Sequence, residues 1–176
     1  MANDEWVPLV DEDGKPLGSA RRSAVHGDRA LMHPVVHCLV ENDRGELLLQ
    51  LRSLHKDVQP GRWDTSVGGH VGLDETIDAA VLREIGEELG VDVPRPAVEF
   101  LYRYVMRSEI ETELVYSFRL RHAGPFRIEP GEIDELRFWS KAEIMAALGS
   151  AAFTPNFEDE FARFQHWCQG CAPSPG

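Results

Sequence analysis

The stretch that decides the fold of this 176-residue chain is Gly69-His-Val-Gly-Leu-Asp-Glu-Thr-Ile-Asp-Ala-Ala-Val-Leu-Arg-Glu-Ile-Gly-Glu-Glu-Leu-Gly-Val91. Its apolar residues recur at helical spacing from Ile77 to Leu89, which predicts an amphipathic helix that opens at Glu75. Gly90 follows in the position of a helix C-terminal cap.

Three carboxylates lie beside the apolar stripe of this predicted helix, at positions i, i+3 and i+4: Glu84, Glu87 and Glu88. Carboxylates at this spacing repel one another by a few tenths of a kcal/mol per pair. A hard divalent cation removes that repulsion, and Mg²⁺ is the usual one where a substrate phosphate completes the coordination shell. The pattern indicates a Mg²⁺ site, with Mn²⁺ as a substitute, although a lone Glu-x-x-Glu-Glu is most simply a solvated acidic face.

The spacing of the whole stretch is more specific than the three carboxylates. It fits Gly-x5-Glu-x7-Arg-Glu-(apolar)-x-Glu-Glu-x-Gly-(apolar) at every position from Gly69 to Val91. This pattern resembles the Nudix box, the signature of the Nudix hydrolases, which cleave diphosphates linked to some other group. The resemblance implies a Mg²⁺-dependent diphosphate hydrolase with the Nudix fold, an α/β (α+β) fold in which a mixed β-sheet is sandwiched between α-helices. The catalytic and metal-ligating residues that it implies are Gly69, Arg83, Glu84, Glu87 and Glu88.

Length, charge and hydropathy narrow the class of protein further. A chain of 176 residues is long enough for one domain with its own core, and we expect a single domain over residues 1–176. Its 18 basic and 30 acidic residues give a net charge of −12, which argues against nucleic acid as a partner. No apolar run reaches about 18 residues and no signal peptide is present, so we expect a cytoplasmic protein without a membrane partner. The three cysteines do not make a disulfide framework, and a homodimer is left open.

Runs of β-forming residues separated by turn residues predict strands on both sides of the box. An N-terminal hairpin is expected over about residues 5–20. Further strands are predicted over residues 34–41, 46–52, 63–67, 98–106, 111–121 and 135–139. Ser140 begins a helix with a capping box, and Thr154 is the N-cap of a C-terminal helix over about residues 155–168. Strands combined with three helices predict a sheet packed between helices.

Residues outside the box resemble the type 1 isopentenyl diphosphate isomerases, relatives with the Nudix fold, over about residues 7–120. The resemblance rests on histidines before the box, on the run Pro60-Gly-Arg-Trp-Asp-Thr-Ser-Val-Gly-Gly-His70 and on the run Glu111-Thr-Glu113. It implies a second metal site, of the Zn, Mn or Fe class that mixed imidazole and carboxylate ligands favour. The five ligands that it implies are His26, His33, His70, Glu111 and Glu113. Surface or hydrogen-bonded core histidines are the alternative.

Basic residues are candidates for gripping the diphosphate. The same resemblance implies this role for Arg22, Arg52 and Lys56, and Arg62 is a further candidate to steady the phosphates. The alternative interpretation is that these four residues are ordinary surface cations.

Two departures from the isomerase pattern favour hydrolysis. The isomerases transfer a proton through a cysteine at the position of Gly68, which has no side chain, and no cysteine of this chain falls at a matching place. They also break the Nudix consensus at the positions of Glu84 and Glu87, where this chain has glutamate. We therefore expect cleavage of a diphosphate linkage in a nucleoside diphosphate derivative or a similar organic pyrophosphate. An isomerase and a non-catalytic sensor of a diphosphate ligand are the alternatives.

The sequence offers several candidates for the general base and for the substrate pocket. The base is sought among four carboxylates that could reach an attacking water: Glu88, Glu113, Glu132 and Glu135. The aromatic candidates for a pocket that holds the rest of the substrate are Trp63, Tyr102, Tyr104 and Trp139. The group attached to the diphosphate is not specified, because specificity comes from loops and side pockets rather than from the fold.

Overall fold

The computed structural model describes residues 4–56, 58–128 and 131–170. Its strands are β1 Trp6–Val10, β2 Pro16–Arg21, β3 His33–Glu41, β4 Leu47–Arg52, β5 Trp63–Asp64, β6 Val67–His70, β7 Val98–Arg107, β8 Thr112–Arg121 and β9 Ile133–Trp139. Its α-helices are α1 Arg22–Val25, α2 Ile77–Leu89, α3 Lys141–Ala147 and α4 Pro155–Cys168, and a 3₁₀ turn covers Arg95–Ala97. In the part of the chain that the structure describes, no helix combines the length and the apolarity needed to cross a bilayer.

Seven of the strands form one mixed sheet, while β1 and β2 form a separate antiparallel hairpin. In the large sheet β5, β4, β3, β8 and β7 lie in that order, and in addition β6 pairs with β3 and β9 with β4. β3 runs parallel to β8, in a register that places His33 opposite Glu113. β6 runs antiparallel to β3, with Gly68 opposite His37. The centre of the sheet therefore brings residues from three distant segments side by side.

The two long helices pack on opposite faces of the sheet, against apolar side chains of β3. On one face Val35 and Leu39 pack in a cluster with Phe157, Phe161 and Phe164 of α4. These three phenylalanines are fully buried, and each contributes roughly 2–3 kcal/mol of burial free energy. On the other face, alternate residues of β3 pack against the apolar side of α2 in a second cluster that contains Val36, Cys38, Val40, Val81, Ile85 and Leu89. The expected mixed sheet between α-helices is confirmed.

The helix of the box begins later than the sequence pattern predicts. Thr76 is the N-cap of α2, and its side chain accepts a hydrogen bond from the backbone N–H of Ala79. Glu75 therefore lies before the helix, and its carboxylate accepts a hydrogen bond from the backbone N–H of Gly72 at 2.8 Å. The predicted C-terminal cap is confirmed, since Gly90 adopts a left-handed conformation with φ of 66°.

The predicted continuous strand over residues 63–67 is wrong, because β5 and β6 are separate strands. Between them the hydroxyl of Ser66 donates to the carbonyl oxygen of Leu48 and accepts from the backbone N–H of Val40 at 2.9 Å. These bonds to β4 and β3 hold the chain where it crosses between the two strands. β5 therefore pairs with β4, whereas β6 pairs with β3 and leads into the box.

Candidate active site

A large cavity of about 2110 Å³ is lined by residues of the N-terminal hairpin and of α1, β3, β6, α2 and α4. Twelve of the predicted site residues line it: Arg22, His26, Arg52, Lys56, Gly69, His70, Arg83, Glu84, Glu87, Glu88, Glu111 and Glu113. His33 does not line the cavity, because its side chain is fully buried behind the wall. The residues that two separate sequence patterns single out thus converge on one cavity.

Arg83 ties the carboxylates of the box together. Its Nε and Nη2 atoms donate to the two carboxylate oxygens of Glu75 at 2.8 and 3.0 Å. Its Nη1 atom donates to Glu84 at 2.7 Å and to Glu87 at 3.0 Å. The carbonyl oxygen of His70 accepts a further bond from Nη2 at 3.0 Å. The hydrogen bond from Arg83 lowers the pKa of Glu75. Because its donors are engaged in this way, Arg83 is placed to orient carboxylates rather than to touch a substrate.

The three carboxylates of α2 differ in their surroundings. The side chain of Glu87 is 59% exposed, whereas Glu84 is buried. Glu88 is half-buried and accepts hydrogen bonds from the backbone N–H of Gly68 at 3.1 Å and from Nε2 of Gln50 at 3.3 Å. Burial raises the pKa of Glu84, and it raises the pKa of Glu88 to about 8. A divalent cation stabilises the ionised form of such carboxylates, so this donor set fits Mg²⁺.

Gly69 leaves the space that the carboxylate of Glu84 occupies. A Cβ atom on Gly69 would lie 2.0 Å from Cδ of Glu84 and 2.1 Å from one of its carboxylate oxygens. Side-chain atoms do not approach one another this closely, so any larger residue would displace the carboxylate. The glycine therefore lets the backbone of β6 pass directly against the acidic cluster, an approach for which glycine is the suitable residue.

A second candidate metal centre is formed by His33, His70 and Glu113. One ligand atom from each of the three lies within 4.8 Å of the others. The rings of His33 and His70 are stacked with their centroids 5.2 Å apart, and Nε2 of His33 is 3.8 Å from Oε1 of Glu113. The other two expected ligands are paired with each other, since Nδ1 of His26 lies 2.6 Å from Oε2 of Glu111. The ring of His26 is 5.0 Å from that of His70, so the pair borders the three-residue group.

Two buried nitrogen atoms in this centre, Nε2 of His33 and Nε2 of His70, have no hydrogen-bond partner among the described residues. Nδ1 of His33 lies 3.4 Å from the carbonyl oxygen of Leu31, which favours the tautomer with a lone pair on Nε2. Burial lowers the pKa of His33 and lowers that of His70 to about 2, which favours the neutral form of both rings. Buried polar atoms are normally paired, and neutral imidazoles beside a carboxylate suit Zn, Mn or Fe. The three-residue group therefore fits a transition-metal ion.

The predicted phosphate-binding cations do not all face the cavity. Arg22, Arg52 and Lys56 line it. Arg52 is held by Asp64, with Nη1 3.2 Å from Oδ2, and Lys56 is paired with Glu132. Arg62 does not line the main cavity. It borders a separate hollow of about 220 Å³, where its Nη1 atom donates to the carbonyl oxygen of Phe153 at 3.4 Å, so its expected role with phosphate is not supported.

Some candidates for the general base line the cavity and one does not. Glu88, Glu113 and Glu132 line the cavity. Glu135 does not, because it lies in β9 opposite Leu51 of β4 and is exposed outside the cavity. Three of the four candidates for the general base therefore lie at the cavity.

The aromatic candidates for a substrate pocket are core residues instead. Tyr102, Tyr104 and Trp139 are buried in the cluster that packs on α4, and Trp63 packs against it. None of the four lines the cavity. Trp6 of the hairpin does line it, with the guanidinium carbon of Arg21 4.6 Å from its ring centroid. No motif marks Trp6, and only the docking of the hairpin places it there.

His37 and Gln50 also line the cavity, although the sequence analysis singled out neither. Each is a polar residue inside a strand that is otherwise largely apolar, β3 for His37 and β4 for Gln50. That interruption is a weak signal, because an isolated polar residue in a strand has many structural explanations. Their place in the site depends on the tertiary structure.

Comparison with known proteins identifies relatives of this chain. The family model of the NUDIX domain matches residues 31–161. An uncharacterized Nudix hydrolase of Streptomyces coelicolor is 33% identical over 172 residues, which cover 97% of this chain and 93% of that protein. The isopentenyl-diphosphate Delta-isomerase of Corynebacterium diphtheriae is 34% identical over 161 residues, which cover 87% of this chain and 88% of that protein.

Solved structures share the fold of this chain. A crystal structure of a protein from Deinococcus radiodurans superposes with a TM-score of 0.75 at 26% identity, over 90% of this chain and 98% of that one. The NUDIX domain of Shewanella oneidensis NrtR, solved in complex with ADP ribose, superposes with a TM-score of 0.58 at 20% identity, over 82% and 92%. The second likeness concerns the fold alone.

Proposed function

This chain belongs to the NUDIX domain family and is related to the isopentenyl-diphosphate isomerases, and we propose that it hydrolyses a diphosphate linkage with the help of Mg²⁺. The proposed substrate is a nucleoside diphosphate derivative or a similar organic pyrophosphate. The observation that carries the proposal is the hydrogen-bonded group of Arg83, Glu75, Glu84 and Glu87 at the wall of the cavity. An intact group of this kind is expected of a working hydrolase.

In this proposal the carboxylates of Glu84, Glu87 and Glu88 hold the metal, with the backbone of Gly69 beside them. Bound Mg²⁺ supplies positive charge that neutralises phosphate oxygens and lowers the pKa of an attacking water. Arg83 holds two of the carboxylates in place through its charged hydrogen bonds.

Other side chains of the cavity are proposed to bind the phosphates and to accept the proton of the attacking water. Arg22, Arg52 and Lys56, which line the same cavity, steady the phosphates. Glu88, Glu113 and Glu132 are the proposed candidates for the base, because all three line the cavity in which the attacking water would lie.

The test is ³¹P NMR of the protein with Mg²⁺, and separately with Mn²⁺, against a panel of diphosphate compounds. The panel contains ADP-ribose, nucleoside triphosphates, dinucleoside polyphosphates, coenzyme A, NADH and isopentenyl diphosphate. Glu87→Gln should lower turnover of the cleaved compound by at least about a hundredfold, because it removes one metal-ligating charge. The fold should survive, since Glu87 is largely exposed. The matched control is Glu99→Gln, an exposed glutamate outside the cavity that pairs with Arg119.

A second, transition-metal ion at His33, His70 and Glu113 is part of the proposal, and the two unpartnered Nε2 atoms support it. After dialysis against metal-free buffer, elemental analysis should detect about one Zn, Mn or Fe ion per chain. His33→Ala should lose this ion while Mg²⁺ binding at the box persists. A His33→Ala protein with undiminished metal content would contradict the assignment.

Isomerisation of isopentenyl diphosphate is the second candidate function, because several relatives carry that name and three of their expected metal ligands meet here. Gly68 disfavours isomerisation, because it has no side chain that could transfer a proton to or from carbon. The isopentenyl diphosphate sample decides between the two, because isomerisation moves the double bond without releasing phosphate. A sensor would bind a panel compound without changing it.

A further inference from the structure

A fully buried acidic residue on α4 is paired with a histidine of the cavity wall. Oε2 of Glu160 lies 2.6 Å from Nδ1 of His37 and accepts a hydrogen bond from the hydroxyl of Thr65 at 3.1 Å. Oε1 of Glu160 accepts from the hydroxyl of Ser117 at 2.5 Å. Glu160 has no exposed surface, so its two carboxylate oxygens receive their hydrogen bonds from these partners rather than from water. None of the residues in this group belongs to the Nudix box or to the candidate metal centre.

The buried carboxylate sets the charge of His37. A carboxylate buried without a compensating charge costs several kcal/mol, and among its partners only the imidazole can become positive. Burial alone would lower the pKa of His37, but the charge of Glu160 and its hydrogen bond outweigh burial and raise that pKa to about 9. Burial likewise raises the pKa of Glu160, and His37 outweighs this and lowers it. At neutral pH the pair is therefore an imidazolium and a carboxylate, with a proton on each ring nitrogen.

The other edge of this imidazolium faces the cavity. His37 lines the cavity, and its side chain is 14% exposed although Glu160 behind it is completely buried. Because Nδ1 is committed to Glu160, the Nε2–H group is the donor left for a ligand. Gly68 lies opposite His37 on β6 and leaves this edge uncovered. A Cβ atom on Gly68 would lie 3.3 Å from Cδ2 and 3.6 Å from Nε2 of His37.

We propose that His37 is a substrate-binding residue that donates a hydrogen bond from Nε2 to a phosphate oxygen of the diphosphate. This inference rests on the proposed hydrolysis of a diphosphate linkage in the same cavity. A dianionic group there meets many carboxylates, and three of the cations that line the cavity, Arg83, Arg52 and Lys56, are each paired with a carboxylate of the protein. The positive charge of His37 is instead balanced by Glu160, which is fully buried and therefore out of reach of a ligand.

The same geometry disfavours a hydrocarbon chain against this part of the wall. A prenyl group seated there would leave the Nε2–H donor without an acceptor. Sites built to hydrogen-bond a substrate discriminate strongly against analogues that lack the partner. His37 therefore selects ligands that present an oxygen atom to β3 over those that present only carbon.

The first test uses the wild-type protein and methylenediphosphonate, a diphosphate analogue whose carbon bridge cannot be hydrolysed. Histidine ring signals are followed by ¹H–¹⁵N NMR in Mg²⁺ as the analogue is added, and His37 is assigned through His37→Gln. The expected result is a shift of the Nε2 and Hε2 signals of His37 on binding, while those of the exposed His166 stay in place. Saturable binding that leaves the ring signals of His37 unmoved would overturn the proposal.

The second test measures affinity in a variant that removes the charge without leaving a charge unpaired. In the double variant His37→Gln/Glu160→Gln the two amides can hydrogen-bond to each other and to the hydroxyls around them. Calorimetry should show methylenediphosphonate binding about ten- to a hundredfold more weakly than in the wild type, the loss of one charged hydrogen bond. His166→Gln, the same substitution at an exposed position of α4, should bind as the wild type does. A double variant that is folded by circular dichroism and binds within threefold of the wild type would refute the role of His37.

The outcomes separate this inference from the proposed function. If the wild type binds the analogue through His37 but cleaves no compound of the panel, the hydrolase proposal fails and the binding role of His37 stands. If a panel compound is cleaved with an unchanged KM in the double variant, hydrolysis stands and the role of His37 is refuted. A raised KM with kcat within about threefold is the result expected of a residue that binds ground state and transition state alike.

Discussion

Replacing Gly69 by alanine is the sharpest structural test of the acidic cluster, because it adds a single methyl group at its tightest point. The new Cβ would lie 2.0 Å from Cδ of Glu84, whereas ordinary contact between such atoms begins at about 3.4 Å. Either the carboxylate or the backbone of β6 must therefore move by about 1.4 Å. The side chain is the softer of the two, so Glu84 is expected to leave its place and to lose its 2.7 Å hydrogen bond from Arg83.

The size of the effect follows from this displacement. A misplacement of about 1 Å in a catalytic group costs on the order of a hundredfold in rate. We therefore expect Gly69→Ala to lower kcat about a hundredfold and to weaken the binding of Mg²⁺. Stability should fall by roughly 1–3 kcal/mol, the usual cost of overpacking a well-packed site.

The assay combines three measurements on the same preparation. Turnover is followed by ³¹P NMR on the compound that the wild type cleaves, metal binding by electron paramagnetic resonance of free Mn²⁺, and stability by urea unfolding. Gly86→Ala is the matched control, because its Cβ would meet nothing closer than 3.8 Å on the exposed side of α2. Removing a glycine from a helix interior should stabilise that control by about 0.5–1 kcal/mol and leave its kcat unchanged. A folded Gly69→Ala protein with wild-type kcat and Mn²⁺ affinity would refute the reasoning about Glu84.

Arg83→Lys should lower kcat about ten- to a hundredfold with little change in KM, because one ammonium group cannot replace the paired bonds to Glu75 together with the bond to Glu84. Steady-state kinetics check this, and a KM effect alone would indicate substrate contact instead. The ion pair of His37 and Glu160 should make stability depend on alkaline pH. The folded pKa of about 9 lies above the unfolded value of about 6.5, so this stabilisation is complete below pH 6.5 and is lost as pH rises through 9. Between pH 6 and pH 10 the free energy of unfolding, measured with urea, should fall by about 3 kcal/mol in the wild type. The double variant His37→Gln/Glu160→Gln should not show this fall. The same dependence of the unfolding free energy on pH in both proteins would contradict the assignment.

Local sequence patterns predicted most of the elements of this fold. The helix of the box is encoded by apolar residues three and four apart and by Gly90, all within one short segment. The pattern places the start of this helix at Glu75, whereas the extended backbone of Thr76 makes that residue the N-cap. The strand predicted over residues 63–67 failed for a related reason. The pattern there is β-rich, but the hydroxyl of Ser66 bonds to two neighbouring strands that the pattern does not contain.

Aromatic and basic residues show where residue type alone misleads. Tyr102 and Trp139 have the chemistry of a ligand pocket, yet they fill the core against α4. Arg62 follows Gly61 at a turn, and the direction in which its side chain leaves that turn takes it away from the cavity. A side chain's type is a property of one position, but the direction in which it points depends on the packing of its whole element.

By itself the sequence determined the box helix, most of the strands, the family and the acidic cluster, because each depends on residues close together in the chain. The tertiary structure alone decided which distant residues meet. His33 reaches Glu113 only through the parallel register of β3 and β8, and His37 reaches Glu160 across 123 positions only because α4 packs on that face of the sheet. The register of paired strands and the seating of a helix are set by the summed burial of many side chains, and no single stretch of sequence contains that sum.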